Sequence, residues 1–391
     1  MNNKLNILLL DGHTVQAFSV AKALRKCNMI VTLFYEKKIS YGFASKYPNK
    51  KVECPSIINS SLRYYTFLLS FLRENKIDFI IPLFDDSADL LNNNRDQIEK
   101  LGIRIGLPPK KQYELARNKG TLMEYCEKNK IPHPVNFSVN KSNYDIVAKL
   151  VGFPSLIKPD KSSGAIGIVY VNSVNELKAY FSDSENNQKG LSLQSYVNHS
   201  GYYYNSMLYR SKDGNFSKVV IVKILRYFPV KGGTGSFNET VDYPELEEMS
   251  RVTLNKLNWV GFADLDYIVD KFTLVPKLIE INPRFPACVH SAFVSGINFP
   301  EIIVCDTLDR EMPVQHYIPG KKVRYFAMDV LWFIFSKERF KCKPSWFNFL
   351  GNNLVYQDGC WSDPLTMLSG ILMGVGKYIN PSYCKSKLKN V

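Results

Sequence analysis

The sequence predicts a chain of mixed class. A parallel α/β unit comes first, an α+β unit of largely antiparallel strands follows, and a basic extension closes the chain. Three observations lead there. Residues 5–35 run apolar, helical and apolar again, the pattern of a β-α-β opening. Between residues 153 and 270 lie six short runs rich in β-branched and aromatic residues, parted by turns such as Asp213-Gly214. Positive charge then gathers at the end. Residues 320–391 hold eleven Lys/Arg against four Asp/Glu, a net +7 out of +14 for all 391 residues.

Taken in order, LNILLL (5–10) reads as the first strand, Asp11-Gly12-His13 as a turn, QAFSVAKALRK (16–26) as a helix and MIVTLFY (29–35) as the second strand. DFIIPLF (78–84) is a third strand with Asp85 and Asp86 at its end. IRIGLPP (103–109) closes the unit at Pro108-Pro109. The first turn lacks the G-x-G-x-x-G that brings backbone against a pyrophosphate, which argues against a dinucleotide site. KQYELARNKGTLMEYCEKNKIPHP (111–134) reads as two helical stretches. The strand-like runs are 153–159, 165–171, 191–197, 202–210, 218–227 and 262–270, interrupted by one helix near 244–257.

Composition bounds the function. At 45% hydrophobic and 22% charged the chain is that of an ordinary globular protein with a sizeable core. Eight scattered cysteines without a C-x-x-C pair argue against a zinc site or a disulfide scaffold. The N-terminus runs straight into a strand, and no segment approaches the length of a spanning helix, so a cytoplasmic protein is expected. The net charge favours anionic partners. No nucleic-acid module is visible and none is expected as a partner. PLTMLSGILMGVGKYI (364–379), followed by KSKLKN, would suit peripheral contact with an anionic membrane.

Three segments carry the chemistry. IKPDKSSGAIGIVYV (157–171) places Lys158 before a small-residue loop, Ser162-Ser163-Gly164, whose backbone could approach phosphate oxygens. Ordinary hairpins share this pattern. FADLDYIVD (262–270) and KLIEINPRF (277–285) carry Asp266, Glu280 and Asn282. Residues 280 and 282 project to one face of a strand, and two carboxylates with an amide oxygen suit Mg²⁺. Simple pairing with lysines is the alternative, but acids in so apolar a segment are costly to bury unpaired. RYFPVKGGTGSFNETV (226–241) offers Arg226, Lys231 and a glycine-rich stretch, read as a flexible basic loop, either a lid or an exposed hairpin.

In this order the segments resemble the ATP-grasp superfamily, and within it the carboxylate–amine ligases related to carbamoyl-phosphate synthase and D-alanine–D-alanine ligase. The resemblance spans roughly residues 5–310, and its most specific element is D-x-D-Y-I-V-D followed by L-I-E-I-N-P-R-F. It implies an ATP-grasp fold with an N-terminal pre-ATP-grasp domain over 1–110. A small nucleotide lobe (111–190), a large metal-bearing lobe (191–310) and the basic extension (311–391) would follow. It implies ATP and two Mg²⁺ ions, with Mn²⁺ as a substitute, held by Asp266, Glu280 and Asn282. Lys119 and Lys158 would meet phosphates beside Ser162, Ser163 and Gly164. Gln194, Ser195, Tyr196 and Val197 (LQSYV) would line the adenine, while Arg284 and Arg226 would meet the transferred phosphoryl group or the substrate. Departures are Ser195, where many relatives have an acid, and Asp264, where some carry an arginine. The implied activity is ADP-forming ligation: a small-molecule carboxylate becomes an acyl phosphate and is joined to an amine. A bicarbonate-type acceptor, or ATP binding without turnover, are the other readings. A homodimer is the default assembly.

Overall fold

The computed structural model describes residues 4–162, 167–183, 190–230, 232–359 and 362–378. The first sheet contains β1 (Asn6–Leu9), β2 (Ile30–Tyr35), β3 (Lys50–Glu53), β4 (Phe79–Ile81) and β5 (Arg104–Ile105), in the order β3-β2-β1-β4-β5 with every pairing parallel. Both faces are covered, which is why its central strands are apolar throughout. Ile7, Leu9, Val31 and Leu33 pack toward helix Val15–Lys26, while Leu8, Leu10 and Phe34 pack toward helix Ser61–Glu74. The turn after β1 is filled from within. The Asp11 carboxylate accepts hydrogen bonds from the Leu83 and Phe84 amides and from Ser87 Oγ, tying the end of β1 to the end of β4.

The second sheet contains β6 (Asn136–Val139), β7 (Ser155–Pro159), β8 (Val169–Val171) and β9 (Leu191–Ser195), in the antiparallel order β6-β9-β7-β8. The last strand of this sheet in chain order ends at Ser195. The expected loop residues Ser163 and Gly164, like Lys231, lie outside the described residues.

The third sheet has seven strands: β10 (Tyr203–Arg210), β11 (Val220–Phe228), β12 (Thr234–Val241), β13 (Gly261–Val269), β14 (Pro276–Asn282), β15 (Lys322–Arg324) and β16 (Leu354–Tyr356). Their order is β14-β13-β10-β11-β12-β15-β16, antiparallel except for the last pair. One face, with Met207, Val220, Val222, Ile224 and Phe262, packs against the first domain through helices Val289–Val294 and Phe299–Thr307. The other, with Leu208, Ile221, Leu265 and Tyr267, packs over helix Pro244–Lys256. Each fully buried side chain of this kind contributes about 1.5–3 kcal/mol.

Two sequence expectations change here. The 226–241 stretch is no free loop, because Thr234–Val241 is an eight-residue strand and only the connection after Phe228 remains. The C-terminal extension adds β15 and β16 to the large sheet and lays helix Phe326–Phe335 across β11 and β12. That helix fixes Arg226. The guanidinium donates to both Asp329 oxygens, at 2.8 Å each, and to the Pro344 carbonyl at 3.0 Å, and it lies 4.1 Å from the Phe237 ring centroid. Arg324 approaches the same carboxylate at 3.2 Å.

Asp329 is therefore the shared counter-charge of two buried arginines. Asp329→Ala leaves both unpaired and is expected to lower unfolding free energy by about 3–5 kcal/mol. Urea denaturation measures this, and a loss under about 1 kcal/mol would show the pair to be dispensable.

Candidate active site

The site begins with a strand defect. Asp264 pairs with Asn282 and Asp266 with Glu280, but Tyr267 pairs with Leu278, so Ile279 is an extra residue in β14. Such a bulge reverses the phase of alternation. Leu278 and Ile281 both enter the core under helix Pro244–Lys256. Glu280 and Asn282 thereby fall on the opposite face, beside Asp266 and Asp264. An unbroken strand would have put Leu278 and Glu280 on one side.

Across this face the polar groups are tightly connected. The Asn205 amide, from β10, donates to Asp264 at 3.2 Å and also to Asp266. Asn282 Nδ2 donates to Asp264 at 3.3 Å and Glu280 at 3.4 Å. Lys119 Nζ lies 3.0 Å from Glu280 Oε2 and donates to the Ser162 carbonyl at 2.9 Å. Lys119 opens helix Lys119–Lys128, whose N-terminus is held by the Asn118 side chain and by an Asp160 carbonyl bond to the Lys119 amide.

The charges are out of balance. Burial and the neighbouring Asp264 and Glu280 push the Asp266 carboxyl well above its usual range, and burial raises Asp264 as well. Burial opposes ionisation of Glu280 too, yet Lys119 and hydrogen bonding outweigh it and hold that group low. A divalent cation bound to Asp266, Glu280 and the Asn282 oxygen would relieve this crowding with hard oxygen donors. Among the described residues no cluster of three or more His, Cys, Asp or Glu side chains has metal-binding geometry. The two carboxylates and one amide fit Mg²⁺ only as a partial set completed by ligand oxygens and water.

Facing these strands is the small sheet. Lys158, on β7, is buried and bonds to Gln194 Oε1 of β9; burial and then the nearby Lys119 lower its pKa to about 8. Lys119, Lys158, Asp266 and Glu280 border a cleft of about 180 Å³, with Gln194, Ser195, Tyr196 and Val197 along its far wall. The Ser195 and Tyr196 amides are committed to the Val135 and Pro154 carbonyls. Tyr170 and Tyr196, ring centroids 6.2 Å apart, give that wall an aromatic surface.

Two expected residues stand elsewhere. Arg226 does not reach the cleft, since its guanidinium is held by Asp329 on the other side of β11 while its neighbour Tyr227 lines the opening. Arg284 sits toward the first sheet, bonded to Asp85, which also meets Arg117 at 3.3 Å. The sequence reading missed Asn205; a lone amide inside the apolar strand YYYNSMLYR was the available signal. His290 is a core residue, buried and 3.0 Å from Ser19 Oγ, with its pKa lowered to about 3 by burial.

No protein-family model matches the sequence, and no curated protein matches it in sequence. Solved structures do match in shape. Biotin carboxylase from Campylobacter jejuni, in a β,γ-ATP complex, is 18% identical with a TM-score of 0.67, over 81% of this chain and 73% of its own. N5-carboxyaminoimidazole ribonucleotide synthetase from Thermotoga maritima is 15% identical with a TM-score of 0.58, over 81% and 79%. The biotin carboxylase domain dimer of Hydrogenobacter thermophilus 2-oxoglutarate carboxylase, with MgADP and bicarbonate, is 16% identical with a TM-score of 0.64, over 82% and 73%. These likenesses and the three-sheet arrangement agree on one architecture: the chain has the ATP-grasp fold.

Proposed function

We propose that the chain is an ATP-dependent, ADP-forming ligase that activates a substrate carboxylate as an acyl phosphate and joins it to an amine. The observation that carries this reading is the convergence on one cleft of Asp266, Glu280 and Lys119 with Lys158 across from them. Lys119 is already paired with Glu280, but buried Asp266 and Lys158 have no direct ion-pair partner among the described residues, a deficit that a cation beside the acids and a polyanion beside the lysine would fill.

Each group has a role set by its position. Asp266, Glu280 and Asn282 would hold Mg²⁺, which when bound neutralises phosphate oxygens and polarises the γ-phosphorus. Lys119 and Lys158 offset the remaining phosphate charge, and Lys119 also orients Glu280. Ser162, with Ser163 and Gly164 beyond it in sequence, covers the phosphates. Gln194, Ser195, Tyr196 and Val197, with the tyrosine wall, receive the adenine. Arg284, on release from Asp85, reaches the transferred phosphoryl group. Arg226 acts as a structural residue in this reading. The carboxylate oxygen attacks the γ-phosphorus and ADP leaves; the amine then displaces phosphate and an amide forms. Bicarbonate as the acid is a second reading, favoured by the ligand of the Hydrogenobacter thermophilus domain. That domain is also a dimer, which makes a homodimer the expected assembly here.

The first test is ADP release with MgATP and pools of carboxylic acids, bicarbonate included, with and without amines. Acid-dependent release is expected, and Glu280→Gln should slow it about a hundredfold or more. ATP binding without turnover in any pool would favour a regulatory role, and no ATP binding would make the carboxylate cluster structural.

The second concerns pH. The depressed pKa of Lys158, about 8, means that its ammonium loses a proton above that pH in the free protein. A bound polyphosphate favours the ammonium, so ATP affinity is expected to fall as pH rises through 8, by up to about tenfold per unit. Calorimetry at pH 8.5 in buffers of different ionisation enthalpy should report proton uptake that Lys158→Arg abolishes. Equal uptake in both proteins would place Lys158 away from the ligand.

A further inference from the structure

The C-terminal helix Pro364–Tyr378 is packed inside out. Its small and polar residues face the protein: Thr366 is 0% exposed and Ser369 7%, and the Tyr41 ring lies where a side chain on Gly370 would stand. Its leucines face outward, with Leu365 63%, Leu368 54% and Leu372 51% exposed, at positions i, i+3 and i+7 on one stripe. The helix is held in this orientation at its start. Asp363 accepts from Ser45 Oγ at 2.9 Å and from the Lys46 amide at 3.0 Å. An amphipathic helix docked in water turns its apolar stripe to the core. Here the solvent side is the apolar one.

Within residues 320–391 the surface charge is nearly all positive. Of the four acids in 320–391, Asp329, Asp358 and Asp363 are buried, leaving Glu338 alone at the surface. Lys337, Lys341 and Lys343 are exposed on the segment after helix Phe326–Phe335, interleaved with exposed Phe340, Phe347 and Leu350. That helix abuts the inverted one. In sequence Lys377, Lys385, Lys387 and Lys389 follow the leucine stripe.

We infer that this face is a docking surface for an anionic lipid bilayer, with helix Pro364–Tyr378 lying in the plane of the interface. Leucines enter the acyl boundary while the lysines meet lipid phosphates, the arrangement by which interfacial helices bind. Among the described residues no helix is long and apolar enough to span a membrane, which fits a helix that lies along one. A second copy is a poorer occupant, because a two-fold contact would set the same positive surface against itself. Nucleic acid would match the charge but leave the aliphatic stripe without a counterpart. The inference stands apart from the ligase reading, since it uses none of the cleft residues.

The test is co-sedimentation of the full chain with vesicles of phosphatidylcholine alone and of phosphatidylcholine mixed with phosphatidylglycerol. Wild type should pellet with the anionic vesicles and stay in solution with the neutral ones. Leu368→Glu/Leu372→Glu should reduce binding about tenfold or more with an unchanged thermal melt. Leu368→Trp, a gentler change, should show a blue-shifted emission on the same vesicles. Wild type remaining in solution, or equal pelleting by the double variant, overturns the inference. So does a dimer in sedimentation velocity that the double variant dissociates, which would assign the stripe to a second copy. RNA binding by wild type in place of vesicle binding would assign the basic surface to nucleic acid.

Discussion

One extra residue, Ile279, determines what the large sheet can do. Without it, β14 would alternate strictly and Glu280 would share the buried face of Leu278. With it, the apolar half of the strand serves the core under helix Pro244–Lys256 and the polar half serves the cleft. A strand interior that changes faces needs a bulge, because a one-residue slip of the whole pairing would turn the core residues outward as well. The bulge confines the slip to the end of the strand pair. Asp264, Asp266, Glu280 and Asn282 are consequently presented together on adjacent backbones.

That presentation has an electrostatic cost, and the rest of the site offsets it. Three carboxyl groups at the end of two paired strands repel one another, and burial removes the water that would screen them. Asn205 places one amide between Asp264 and Asp266, and Lys119 places a charge against Glu280. These contacts compensate only part of the charge, which is why Asp266 is pushed toward its neutral form. A site left short of positive charge on one wall, facing a desolvated lysine on the other, is matched to a ligand that brings a cation and phosphates together. Among the described residues Lys158 has no acid directly bonded to it and donates to Gln194 instead. A fixed carboxylate there would compete with phosphate for the ammonium.

Legibility in the sequence followed the range of the interactions. β1, β2 and β4 of the first sheet were readable because apolar runs and turns recur within thirty or so residues, whereas β3, KKVE, offers no apolar run and was missed. That Glu280 and Asn282 share one face was readable because period-two spacing is local, although the bulge that aims them was not. The outcome differed for Arg226. RYFPVKGGTGSF looks like a basic, glycine-rich loop, and nothing nearby indicates that Asp329, 103 residues on, will take up its guanidinium. β12 was hidden for a related reason: Thr234, Gly235 and Ser236 are poor local signals for a strand, and pairing with β11 and β15 overrides them. β15 and β16 are too short to announce themselves without the sheet edge that receives them.

The first domain is more than a scaffold, and the ion pairs at its edge show why. Arg284 follows the strand that carries Glu280 and Asn282 and is met by Asp85, the first residue of helix Asp85–Asn93 at the end of β4. Asp85 is shared with Arg117, which is also clamped by Asp89 at 3.0 and 3.1 Å, and Arg117 ends the helix directly before Lys119. Three parts of the chain therefore meet in one charged chain: the first sheet, the hinge into the small lobe, and the strand carrying Glu280. The two arginines hold the Asp85 carboxyl below its usual range despite its burial, so the connection stays charged. Arg117 and Lys119 lie on consecutive helices parted only by Asn118, so the ion pair at Asp85 stands close in sequence to the one at Glu280. Asp85 is thus, among the described residues, the one carboxylate in ion-pair contact with both Arg117 and Arg284, so a shift of either guanidinium acts on the charge that holds the other.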